Sequence, residues 1–442
     1  MSKKVLIVAA YFPPLAEVGS QRPARLCRHL PRHGWSPHVL TVAADCCLPR
    51  DDSLMELVPS DLPIDRTPCR SWLAHTYHFR RRTKSRLKRL LTLPVHAYAY
   101  WREFACEPDV YMFWRRGAVR RAVELHRRGA FDVVFASLNP WSAALICQDI
   151  FRACGAPYVL DYRDPWSLQT EHDRFQDPAR KERERGLERA ALADAAAVVS
   201  VTRGIAQLYE AGFADELRGK SHVVTNSFDA DEWTGVPPHR FDRFTLLHGG
   251  NIHATRSLKP IMRGLAALRR RGVIPDDGIQ LVNYGNVSAD ERAFAAEAGV
   301  QSWVRFEPVV PRTRFVAMLL GAEMLLVTER WPFVVPGKTY DYLATGRPVL
   351  AVVPRGSQIA ELIADADAGL VVPEEEPEAM ADTLLAAWQN HRAGRPIYAV
   401  RDPEARLRYS TPHTSRQLAT ILDSVLERSR GSRSADLVAG PR

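Results

Sequence analysis

Short apolar runs recur along the first half of the chain: "KVLIVAA", "SPHVLTVAA", "FDVVFAS", "PYVLDYRD", "AAAVVSVT" and "SHVVTN". Amphipathic stretches such as "SAALICQDIFRACG" lie between them. Runs apolar on both faces, separated by helical spacers, predict parallel strands buried under helices. That arrangement is a doubly wound α/β sheet. The pattern stops at "SFDADEWTGVPPHRFDRF" (227 to 244), then restarts with "FTLLHGG", "IQLVNYGN", "AEMLLVTE", "RPVLAVVP" and "AGLVVP". The expected organisation is therefore two Rossmann-like domains facing each other across a cleft. Their predicted bounds are 1–228 and 245–410, joined by a linker at 229–244 and followed by a helix at 411–428 and a disordered tail at 429–442.

Composition agrees with two cores. The chain has 442 residues, 46% of them hydrophobic and 25% charged, which suits a globular protein too long for a single core. A net charge of +9 favours anionic partners: phosphates, lipid headgroups or nucleic acid. All seven cysteines fall within the first 154 residues and form no C-x-x-C pair, so reduced thiols in a cytoplasmic protein are expected. The start, "MSKKVLIVAAYFPP", reads as a first strand rather than a leader. No window approaches the ~18 apolar residues of a membrane span.

The stretch "VPGKTYDYLATGRPVLAVVP" (335 to 354) carries the most specific chemistry. Pro336 suits a helix start, Gly337 lets a ligand approach the backbone, and Gly346 suits the helix stop. The helix would begin at the carboxyl edge of a parallel sheet, where exposed N–H groups favour a diphosphate. Lys338 adds a positive charge there, and Asp341 lies about one turn (~5 Å) deeper on the same face, a span that fits diphosphate to ribose. The bland alternative is a solvated Lys338 and an Asp341 that merely complements the helix dipole.

At this point the segment resembles the nucleotide-sugar-binding helix of glycosyltransferases with the two-domain GT-B fold, in particular the retaining family 4. The resemblance extends from "YFPPLAEVGSQRPARLCRHLPRHGWSPHVLTV" through "LDYRDPW", "VTNSFD" and "LLHGGNIHATRSLKPIMRGLAAL" to "GLVVPEEEPEAMADTLLAAW". It implies that the second domain binds the nucleotide sugar, with Asp341 in the place of the usual ribose-binding glutamate. The family's other glutamate would fall at Phe333, and Glu329 is the nearby acid that serves the donor sugar instead. Where related sequences carry an Arg and a Lys after the first strand of domain two, this chain has Gly250 and Arg256, so Arg256 is the expected diphosphate clamp alongside Lys338. No cofactor and no metal are implied, because GT-B enzymes generally stabilise the departing diphosphate with basic side chains.

The first domain would complete the site. In "FPPLAEVGSQRPAR", Gly19 can approach the donor, Ser20 is placed to cap the following helix, and Arg22 lies just inside it. The loop is not G-x-G-x-x-G, which argues against a nicotinamide dehydrogenase. Arg163 and Asp164 in "DYRDPW" end a strand, as a catalytic pair or a structural bridge. Asn139 and Ser142 stand on the acceptor side, where many relatives carry a histidine. Residues 78 to 104 place seven Lys or Arg between Arg80 and Arg89, ahead of leucines, Tyr98, Tyr100 and Trp101. Such a segment suits an anionic bilayer at the inner face of the membrane, with a solvated loop or RNA binding as alternatives. The lack of RNA-recognition motifs argues against nucleic acid.

No G-x-S-x-G, H-E-x-x-H or Walker A motif occurs. The triplets Asp229-Ala230-Asp231 and Asp365-Ala366-Asp367 fall in the linker and near a helix end, so neither reads as a metal site. The expected activity is transfer of a sugar from a nucleotide diphospho-sugar to a hydroxyl acceptor, a lipid-linked glycan of a cell-surface polysaccharide. A GT-B epimerase or phosphorylase, and a non-catalytic binding partner, are the rival readings.

Overall fold

The computed structural model describes residues 3–43, 46, 49–69, 90–104, 106–168, 177–252 and 256–439. The basic run Arg80 to Arg89, with its expected membrane contact, lies outside the described residues. The chain divides into two compact units, one of residues 1–225 with 415–442, the other of 226–414.

The first unit is built on β1 (Lys3–Val8), β2 (Trp35–Val42), β3 (Ile64–Thr67), β4 (Val133–Ser137), β5 (Tyr158–Tyr162), β6 (Ala197–Ser200) and β7 (Ser221–Val223). They pair in the order β3-β2-β1-β4-β5-β6-β7, all parallel. The second unit contains β8 (Phe244–Gly249), β9 (Ile279–Tyr284), β10 (Val304–Glu307), β11 (Met324–Thr328), β12 (Val349–Val352) and β13 (Gly369–Val372), in the order β10-β9-β8-β11-β12-β13, again parallel. Each sheet reverses its direction of growth once, between β1 and β4 and between β8 and β11. In an open α/β sheet, ligands bind at the carboxyl edge beside such a reversal.

Period-two side-chain alternation splits each strand between two cores. Leu6 and Val8 face one cluster while Val5 and Ile7 face another. Leu246 and Leu247 divide in the same way in the second unit. Because both faces are covered, β4, β5, β8, β11 and β12 are buried along their whole length, which explains why their sequences run apolar without alternation.

The expected linker is not a free connector. Trp233 and Phe228 pack into a second-unit cluster with Leu319 and Tyr340, and Asp229 accepts a hydrogen bond from the Asp231 N–H to close a short turn. The C-terminal helix also runs further than its composition suggests, from Thr411 to Ala439. Leu418, Leu422 and Val425 join Val5 and Trp35 in a first-unit core, and Asp423 accepts from Trp35 Nε1 at 2.9 Å. An apolar stripe anchored so firmly lets the helix propagate into the polar residues beyond Arg428. No helix among the described residues is long and apolar enough to cross a membrane.

Candidate donor site at the β8–β11 edge

β8 ends in His248-Gly249 and is followed by Gly250, and β11 is followed directly by Glu329. The helix Gly337–Thr345 starts near by, with Pro336 as its N-cap residue and Gly346 as its left-handed stop at φ 67°. Tyr342 on this helix accepts a hydrogen bond from the Gly249 N–H at 2.8 Å, which ties the helix to the end of β8. The glycines here are sterically required. Gly250 has φ 112°, and a Cβ on Gly285 (φ 150°) would overlap the Gly250 carbonyl.

Three charged side chains converge on this edge. Arg256 Nε donates to Glu329 Oε2 at 2.8 Å, and Glu329 is almost fully buried. The other oxygen, Glu329 Oε1, accepts from the N–H groups of Arg330 and Trp331. Lys338 Nζ hydrogen-bonds His248 Nε2. His248 Nδ1 meets Asn283 Oδ1, whose amide nitrogen donates to the Gly285 carbonyl. With the amide so oriented, His248 must carry its proton on Nδ1 and accept from the Lys338 ammonium through Nε2. Burial, reinforced by the Lys338 cation, holds the imidazole neutral by pushing its pKa well below the usual histidine value. Burial and then the neighbouring Arg256 pull the Lys338 ammonium well below the usual lysine range, and Glu329 opposes them. An arginine paired with a buried carboxylate, and a lysine bonded to a neutral ring, form a site that gains from an arriving anion.

Asp341 lies on the same helix, 4.0 Å from Arg312 Nη1, while Arg312 also pairs with Glu232. Phe333, the position at which the resemblance implies a glutamate, stacks on Trp331 with ring centroids 6.0 Å apart.

The first-unit residues gather at the β1–β4–β5 edge. Arg163 donates to the carbonyls of Leu138 and Asn139, and a Cβ on Gly19 would overlap its guanidinium. Asp164 accepts from Asn139 Nδ2 at 3.1 Å, so Arg163 and Asp164 both grip the Leu138-Asn139 turn. The Ser142 N–H donates to Asp109. Two expectations change here. Ser20 occupies the N-cap position of the helix Gln21–His29, but its hydroxyl makes no capping bond. It is itself helical (φ −73°, ψ −24°), whereas a capping side chain needs an extended backbone. Arg22 is not directed at a ligand. It forks onto the fully buried Asp161 at 2.8 Å and donates to the carbonyls of Val224 and Thr225, because a buried carboxylate must be paired.

His248, Asn283 and Tyr342 are the site residues that sequence reading passes over. "LLHGG" does contain the signal, a polar ring closing a buried strand immediately before two glycines.

The model of the glycosyl transferase 4-like domain matches residues 19–226, and that of the glycosyl transferases group 1 matches residues 243–390. A D-inositol 3-phosphate glycosyltransferase of Corynebacterium urealyticum is 28% identical over 188 residues, a match spanning 40% of this chain and 42% of that protein. A glycosyltransferase structure from Rickettsia africae superposes with a TM-score of 0.63 at 13% identity, covering 96% of this chain and 98% of the other. Anabaena Alr3699/HepE in complex with UDP-glucose gives 0.61 at 13% identity, covering 95% and 99%. With two Rossmann-like units in the order these domain models describe, the chain belongs to the GT-B-fold glycosyltransferases and resembles their family 4.

Proposed function

We propose that the protein transfers a glycosyl group, with retention of anomeric configuration, from a nucleoside diphospho-sugar to a hydroxyl of a lipid-linked glycan acceptor in cell-surface polysaccharide synthesis. The observation that carries this reading is the Lys338–Arg256–Glu329 cluster beside the N-terminus of the helix Gly337–Thr345, at the reversal of strand order. As the bond from the anomeric carbon to the diphosphate breaks, charge develops on the leaving oxygens. Lys338, Arg256 and the first N–H groups of the helix stabilise it without a metal. The acceptor oxygen bonds to the anomeric carbon, and its proton passes to the departing phosphate. Asp341 takes the ribose hydroxyls, and Glu329 holds Arg256 in place.

A lipid-linked acceptor is favoured by the helix Leu93–Phe104, on which Leu93, Val95, Tyr98 and Trp101 are exposed directly after the Arg80 to Arg89 run. Apolar anchors beside cationic charge suit an anionic bilayer surface. The relative bound to UDP-glucose makes UDP-sugars the first donors to test.

The experiment is thermal denaturation with UDP-, GDP- and dTDP-sugars, followed by measurement of released nucleoside diphosphate with and without a polyprenyl-linked glycan. Stabilisation of about 2.7 kcal/mol is expected at a hundredfold excess over Kd. No stabilisation by any of the three donors refutes the donor site. Conversion of the donor without acceptor and without release of nucleoside diphosphate points to the epimerase reading. Co-sedimentation with phosphatidylserine vesicles, lost in Trp101→Ala, checks the membrane contact.

A further inference from the structure

The second unit has a cavity of about 620 Å³ at the edge of its sheet opposite the diphosphate site. Its lining residues precede strands rather than follow them: Glu323 before β11, Pro348 before β12 and Ala368 before β13. Glu323 and Glu329 flank β11 at its two ends, about 20 Å apart at ~3.3 Å per residue. The proposed donor therefore does not reach this cavity.

An irregular segment keeps the cavity open. Asp367, a non-glycine residue with φ 46°, accepts hydrogen bonds from Tyr398 Oη and from the N–H groups of Arg401 and Asp402. This staple holds Ile397 and Val400 as a wall facing Leu343 and Pro348, where direct collapse onto the sheet edge would have buried the same apolar surface. A strained residue fixed by three donors, beside unfilled apolar lining, is a feature expected at ligand clamps.

The polar groups in the lining define what it takes. Glu323 already accepts from the Thr245 N–H at 2.7 Å, Asp367 is fully engaged, and Asp402 accepts from the Glu404 N–H at 3.0 Å. Arg347 commits Nε and one Nη to the Leu320 carbonyl. Arg406 is half-buried over Gly346, and among the described residues no carboxylate or carbonyl accepts from its guanidinium. Its guanidinium is thus a donor left uncommitted, a planar fork suited to a two-oxygen anion.

The geometry points to a second ligand site: the cavity binds a small organic oxyanion, a phosphate or carboxylate carried on an apolar body, with the charged end on Arg406 and the body against Leu343, Pro348, Ile397 and Val400. It is independent of the proposed donor site.

The test is calorimetric titration of the full chain with phenyl phosphate, benzoate, inorganic phosphate and phenol. Phenyl phosphate or benzoate should bind the wild type, and equally the Lys338→Met variant. Arg406→Ala should weaken binding at least tenfold, and Val400→Trp, at an exposed position, should abolish it by filling the cavity. If Arg406→Ala does not fold, Val400→Trp decides. No binding to the wild type, or binding unchanged in these cavity variants, overturns the proposal. Loss in Lys338→Met instead assigns the anion to the donor edge and also overturns it. Phenol binding as tightly as both anions removes the role of Arg406, and inorganic phosphate binding as tightly as phenyl phosphate removes that of the apolar wall.

Discussion

Lys338 Nζ hydrogen-bonds the Nε2 of His248, a buried imidazole locked in its Nδ1-protonated form by Asn283. The lysine's hydrogen bond goes to a neutral acceptor, and Glu329 acts on its charge without a hydrogen bond to it. Replacing Lys338 by Met should lower nucleoside diphosphate affinity about 10- to 100-fold, the loss of one charge-assisted contact. Titration calorimetry with UDP checks this.

The same pair sets a pH dependence in the unliganded protein. Both groups have folded pKa values below their unfolded ones, so the unfolded chain binds more protons in the interval between. Stability should therefore rise with pH, for His248 up to its unfolded value near 6.5 and for Lys338 up to 10.5. Donor affinity should run the other way and fall as Lys338 loses its proton. Urea denaturation across pH 5 to 10 should give a flatter profile for Lys338→Met. An equal slope in both proteins would remove Lys338 from this account.

Glu329 supports the Lys338 proton as well as holding Arg256. In Glu329→Gln the ammonium becomes easier to deprotonate, so the alkaline limb of kcat/KM should move to lower pH, with at least about a tenfold loss at the optimum. A pH–rate profile decides. Loss of activity with the limb unmoved would assign Glu329 to the donor sugar instead.

Gly285→Ala should destabilise the second unit by about 1–3 kcal/mol, since its Cβ would overlap the Gly250 carbonyl and its φ suits glycine. The displaced Gly250 loop should also weaken UDP binding. Chemical denaturation and calorimetry on the same variant measure both effects.

Asp161→Ala should cost about 3–5 kcal/mol, because it leaves the nearly buried Arg22 without its carboxylate. Unfolding free energies of Asp161→Ala, Arg22→Met and the double variant, each against the wild type, give the coupling.

Strand positions and the short helix at Gly337–Thr345 were readable because local rules govern them. Apolar runs bounded by turn residues must be buried, and proline and glycine punctuate a helix whatever surrounds it. The tail beyond Arg428 was not readable, because Leu418, Leu422 and Val425 nucleate its helix through contacts with Val5 and Trp35, far away in sequence. Trp233 escaped for the same reason, as an isolated aromatic in a polar stretch whose cluster comes from other elements.

The sequence by itself determined two parallel α/β units, the basic and acidic candidates at their carboxyl edges, and the family resemblance. All of these follow from residue type, period and order. Tertiary structure alone decided which charges meet. Arg22 turned to Asp161, Glu329 to Arg256, and Lys338 to a histidine with no motif to announce it. A charge's partner depends on which strand ends the sheet brings together, and the order β10-β9-β8-β11-β12-β13 is a property of the folded sheet, not of any local segment.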